Sequence, residues 1–284
     1  MPSNLLALAA SFGWGASDFL GGFASRRLPV QFVTAITQVA GAATMFAAVA
    51  LTQPDPTGRD TLLGVAAGIV GPIGLVLLYR GLALGPMNVA APTTAVVGTA
   101  TAVLGGIVLR GESFTGITLI GAICAVIAVV AVSQTPDADT EDHLPGHIRR
   151  TLRICLASGL LLGLANVAFS ETREESGVWA IAVARSVSTL LLLYPALRIR
   201  PETRLLPRHE LRLAALAGVG DALATTALVL AFQRGTVILV GVLGGLFPAV
   251  TVLLARIVLK ERMGRPQFLG LAFALATVVL LGIG

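Results

Sequence analysis

The chain has 284 residues, of which 55% are hydrophobic and only 12% charged, with a mean hydropathy of +0.87. Soluble domains usually carry about 25% charged residues, so this composition all but excludes a soluble fold. The formal net charge of +5 is not a nucleic-acid footprint, because the basic residues sit in short segments between apolar runs and assemble no basic face.

The N-terminus, Met1-Pro2-Ser3-Asn4, leads straight into an apolar stretch without the basic region or cleavage site of a signal peptide. The first segment is therefore expected to stay as a helix. A transmembrane helix needs about 20 mainly apolar residues. Ten runs near that length follow one another, with polar or Gly/Pro punctuation between them: 4–24, 31–52, 61–82, 87–109, 114–133, 152–170, 177–197, 211–232, 236–259 and 266–283. Cys124 and Cys155 lie in or beside these runs with no metal or redox spacing and read as small core residues, so no metal or cofactor is expected. The longest connection, 134–151, holds Asp137, Asp139, Glu141, Asp142, His143 and His147 and has the composition of a solvated linker. It divides the chain into two five-helix halves, 1–133 and 152–284.

The halves resemble one another. At an offset of 149, Ala100, Leu104, Glu112, Gly121 and Val130 meet Ala249, Leu253, Glu261, Gly270 and Val279; at 148, Gly15 and Asp18 meet Gly163 and Asn166. An odd number of helices per repeat inserts the second half upside down. The predicted fold class is thus an all-α polytopic membrane protein of ten transmembrane helices in two inverted five-helix repeats, with a substrate site between them near the midplane.

Orientation follows from the Lys and Arg count. Connections after odd-numbered runs hold fourteen such residues, whereas those after even-numbered runs hold only Arg59, Arg110, Arg173 and Arg234. Odd connections are expected in the cytoplasm and both termini on the outer, periplasmic side of a bacterial inner membrane.

Two stretches carry a family resemblance. Phe247-Pro248-Ala249-Val250-Thr251, continuing to Lys260-Glu261-Arg262 and Gly270, is similar to the Pro-to-Glu-Arg-to-Gly pattern of the EamA family in the drug/metabolite transporter superfamily. Trp14-Gly15-Ala16-Ser17-Asp18-Phe19 resembles the start of that family's first helix. In the first half Thr99 stands where the proline would be. The resemblance covers nearly the whole chain. It implies export of amino acids or similar metabolites, as in YddG-type exporters, through a central cavity lined by both halves; the family's cargo also includes drugs and sugars.

An ionisable side chain near the bilayer centre costs roughly 3 kcal/mol on insertion scales and calls for a functional explanation. Asp18, Arg185 and Asp221 lie deep in runs one, seven and eight. Asp18 reads as a substrate-amine or proton site beside Trp14, or else as an acid satisfied by Ser11, Ser17 or an arginine. Arg185 reads as a clamp for a substrate carboxylate, or as the ion-pair partner of Asp18 or Asp221. Asn88 and Asn166 offer donors and acceptors to a zwitterion, or glue helices together. Trp14, Tyr79, Trp179 and Phe247 either line the cavity or mark the interfaces. Glu112 and Glu261 each open the last helix of a half and read as caps of that helix.

An enzyme fares poorly, because His143, His147 and His209 all sit in connections and neither an HExxH nor a paired-Cys spacing occurs. A structural subunit leaves the cost of the intramembrane charges unexplained, and a channel would need polar stripes that no helix carries. A lipid or lipid-linked sugar flippase would need a laterally open groove. The expected partners are a small-molecule substrate and the lipid bilayer, with protons as a further candidate and no nucleic acid.

Overall fold

The computed structural model describes residues 2–84, 87–132, 145–198, 208–259 and 264–283. Over these residues it forms α1 (Ser3–Ala24), α2 (Val30–Thr52), α3 (Gly58–Leu84), α4 (Met87–Arg110), α5 (Gly116–Val132), α6 (Pro145–Ser170), α7 (Trp179–Arg198), α8 (Arg208–Arg234), α9 (Val237–Gly244), α10 (Phe247–Leu259) and α11 (Arg265–Ile283). A 3-10 turn, Glu174–Ser176, precedes α7. Helices suit these sequences because a hydrocarbon environment obliges every backbone N–H and C=O to pair within its own segment. The outward faces are apolar: Leu51, Val108, Leu190 and Leu197 are 73–85% exposed.

Seven stretches among the described residues are long and apolar enough to cross a bilayer, namely α2, α3, α4, α6, α7, α8 and the α9–α10 pair. That is three fewer than the ten runs read from the sequence. Ser11, Ser17 and Asp18 lower the hydropathy of α1, but all three are buried inside the protein. The helix α5 is apolar but only 17 residues long, and in α11 the apolar stretch among the described residues is the shorter Phe268–Thr277. The stretch read as a linker, 134–151, is helical from Pro145 on, where α6 starts; proline suits a first helical position. Its residues 134–144 lie outside the described residues.

The second-half run expected as one helix over 236–259 is broken into α9 and α10 at Gly245-Leu246. Its first-half counterpart, α4, runs unbroken. The offset of 149 explains the difference. Gly244, Gly245 and Pro248 correspond to Ala95, Val96 and Thr99, so the second half combines two poor helix formers with a residue that clashes with the preceding turn. Pro72, by contrast, is carried within α3.

Helix pairing follows a pattern of exchange. The helix α1 packs along α8 as α6 packs along α3, and α2 lies on α8 as α7 lies on α3. Likewise α4 packs on α6 as α9 and α10 pack on α1, while α5 pairs with α11 and α2 with α7. Replacing each helix by its counterpart in the other half maps these pairings onto one another.

Small residues allow these close approaches, since lipid supplies no hydrophobic drive between helices and contact must come from packing. A Cβ on Gly15 would lie 2.5 Å from the Phe247 carbonyl oxygen, and one on Gly218 would run into the Thr37 carbonyl. Gly58, at the start of α3, faces open space. Gly218→Ala is accordingly expected to destabilise the protein by about 1–3 kcal/mol through overpacking. Gly58→Ala should be neutral or stabilising by about 0.4–1 kcal/mol. Thermal unfolding of the two purified variants in detergent checks the contrast.

Candidate functional site

The helices α1, α2, α3, α4, α6, α7, α8 and the α9–α10 break surround a cavity of about 130 Å³. A water needs roughly 10–15 Å³ of such space, so the cavity has room for about ten waters or one small metabolite. Most of its wall is aliphatic, from Ala67, Leu75, Leu78, Ala102 and Leu162 among others, and its polar groups come from both halves.

Those polar groups are built around Arg185 on α7, which is buried. Its Nη2 lies 2.6 Å from Asp221 Oδ2 on α8. The guanidinium also donates to Gln38 Oε1 on α2 at 3.0 Å and to Thr225 Oγ1 at 3.1 Å. Thr225, one turn after Asp221, donates its hydroxyl back to the Asp221 carbonyl at 2.8 Å. Trp14 Nε1 of α1 reaches the same hydroxyl oxygen at 3.4 Å. Four helices are thereby tied to one cation.

Asp18 is the exception. It is 6% exposed and lines the cavity, yet among the described residues its carboxyl makes no hydrogen bond or ion pair. Of the alternatives read from the sequence, Ser11, Ser17 and Arg185 therefore do not satisfy it; Arg185 pairs with Asp221 instead. Two carboxyl groups and one guanidinium face a common space, so one carboxyl lacks a positive counterpart.

Asn166, on α6, also lines the cavity. Trp14 does too, and packs edge-on against Phe247 at the start of α10, with centroids 6.3 Å apart. Tyr79 departs from its expected place. It is fully buried in a core cluster with Ala24, Leu28, Leu82 and Cys155, its ring pressed against Gly21, and it does not line the cavity. Trp179 donates to Thr61 at 3.1 Å at the first residue of α7. The side chain of Asn88 falls outside the described residues, as does Glu261.

Gln38, Thr225 and the Gly244–Gly245 break were not singled out in the sequence. Gln38 carried a usable signal, an amide within an apolar run, and Thr225 stands one helical turn from Asp221. Glu112 caps a helix, as expected, but not its own. It accepts from Val237 N at 2.8 Å and Ile238 N at 2.9 Å, at the N-terminus of α9. The start of α5 is served instead by Thr115 and Thr118, each accepting from the other's backbone N–H.

Removing one partner of a buried ion pair strands a charge at about 3–5 kcal/mol. Arg185→Met should lower thermal stability by that order, and Asp221→Asn added to it should recover most of the loss. Asp18→Asn should leave stability nearly unchanged. Melting the three variants side by side tests which acid is the structural partner.

No curated protein matches the sequence. A solved crystal structure matches with a TM-score of 0.77 at 19% identity, over 99% of this chain and 96% of the other, a likeness of fold. The profile of the EamA-like transporter family matches residues 1–134 and again residues 151–283. With nearly the whole sequence taken up by these two matches, and apolar helices around a cavity that holds a few polar groups, the chain belongs to the EamA-like transporter family and is a multi-pass membrane transporter.

Proposed function

We propose that the protein exports small zwitterionic metabolites, foremost amino acids as in YddG-type members, from the cytoplasm by alternating access through the central cavity. One observation carries this reading: a cavity between the halves holds Asp18, without a partner among the described residues, beside the neutralised pair Arg185–Asp221. An ammonium group placed there supplies the missing positive charge, and a proton can take the same place between cargoes. Trp14 and Phe247 offer ring faces to a side chain, while Asn166 offers a donor and an acceptor.

Alternating access asks for two related halves. We read 1–133 and 152–284 as inverted five-helix repeats, ten spans in all, joined by the linker 134–151. The exchange pattern of helix pairing and the sequence offsets support that plan. The arginine bias supports cytoplasmic odd connections and periplasmic termini in a bacterial inner membrane.

A second reading is favoured by an apolar crevice of about 170 Å³ between α4, α5 and α9, which shares Ala95, Thr99 and Gly245 with the cavity wall. Such a side opening suits an amphiphile or lipid-linked cargo.

Two experiments test the proposal. Cysteines placed at Ser3 and Leu205 should label from outside the cell at the first position and not at the second; the opposite result reverses the topology. In proteoliposomes, counterflow of labelled amino acids should be abolished or reduced more than about tenfold by Asp18→Asn, the order expected when a charge-assisted contact is lost. Unimpaired counterflow at every pH by a stable Asp18→Asn variant removes Asp18 from the mechanism.

A further inference from the structure

The four arginines that break the orientation bias, Arg59, Arg110, Arg173 and Arg234, are all ion-paired. Arg59 and Arg110 both meet Glu171, at 3.2 and 3.0 Å. Arg173 meets Asp60 at 3.2 Å, and Arg234 meets Glu174 at 3.6 Å. At the other end of the bundle, Arg27 with Glu210 is the single arginine ion pair among the described residues. Pairing of this completeness at one end, on a face that otherwise avoids basic residues, asks for a reason beyond orientation.

The partners supply it. Arg59 and Asp60 start α3, and Arg110 ends α4; Glu171 and Arg173 follow α6. The first three of these ion pairs therefore join the first half of the chain to the second. Arg110 goes further. Its Nη2 donates to the Ser170 carbonyl at the end of α6, and its Nη1 to the Phe232 carbonyl near the end of α8 at 3.5 Å. A cation suits these positions, where helix C-termini leave unpaired carbonyls and a negative dipole end. Phe232 itself, and Phe169 next to Ser170, are buried and line the cavity. Opening the cavity at this end by moving α4 away from α6, on which it packs, and from the end of α8 breaks the bonds of Arg110.

We propose that Arg110, held by Glu171, is a latch that closes the cavity at the end bearing the even-numbered connections. It is a positioning residue, since it touches no part of the cavity space and acts through the two phenylalanines beneath it. The inference rests on the cavity being the transport path and needs no particular cargo.

The test reads access to the cavity directly. In a variant without native cysteines (Cys124→Ser, Cys155→Ala), Ala102→Cys puts a thiol on the cavity wall, about 12 Å along α4 from Arg110. Leu78→Cys puts one on the same wall toward the opposite end. Reaction of each with a neutral maleimide is timed in proteoliposomes. Arg110→Gln and Glu171→Gln are each expected to speed labelling at 102 about tenfold, the factor lost with a charge-assisted hydrogen bond, without speeding it at 78. Arg110→Lys, which keeps the charge, should fall between. Unchanged labelling at 102, or equal acceleration at both positions, overturns the latch. If the substituted proteins do not fold, the intact latch decides: raising salt from about 0.05 to about 1 M should speed labelling at 102, because partly exposed ion pairs are screened, and no rise overturns the proposal. Failure of amino-acid counterflow would count against the cargo alone, since labelling involves no cargo.

Discussion

A guanidinium inside an apolar bundle has to be neutralised and hydrogen-bonded, and Arg185 meets that demand by drawing three other helices onto itself. Asp221 of α8 supplies the charge, while Gln38 of α2 and Thr225 of α8 supply acceptors, and Trp14 of α1 joins through the Thr225 hydroxyl. Breaking such a pair costs more than forming it contributes, so its main effect is to fix where α1, α2, α7 and α8 stand. The cavity is the space left around this cluster. Its member Asp18, without a partner among the described residues, is where the proposed function places a cargo amine or a proton.

Around that cluster the architecture is one of close helix contacts made possible by missing side chains. Gly15 brings α1 against the start of α10, and Gly218 brings α8 against α2. Both contacts border residues of the cavity, so the polar cluster and the small-residue seams are parts of one arrangement. The break between α9 and α10 adds asymmetry, since Gly244, Gly245 and Phe247 contribute backbone and ring to the wall where the first half offers an unbroken helix.

Charge is distributed by the same logic at the two ends of the bundle. One end carries many arginines, nearly all outside ion pairs among the described residues, as a membrane-orienting surface does. The other carries few, all paired, and three of the four reach across the seam between the halves. Glu112 extends that seam by capping α9 from the end of α4. A seam made of ion pairs that are partly exposed is held by modest energies, which suits a contact meant to part.

Much of this was legible in the amino-acid order. Composition and the length of the apolar runs determined a helical membrane protein, because hydrocarbon leaves the backbone few other ways to pair. The cost of buried charge singled out Asp18, Arg185 and Asp221, and all three line the cavity. What only the tertiary structure decided was which charges meet. One-dimensional spacing orders residues along a helix but is silent on the rotation and depth at which two helices face each other. That is why Arg185 could be paired on paper with either acid and is found with Asp221, and why Tyr79, deep in an apolar run like a cavity residue, sits in the core against Gly21. It is also why Glu112 caps α9, a helix 125 residues further along, and not the helix it precedes.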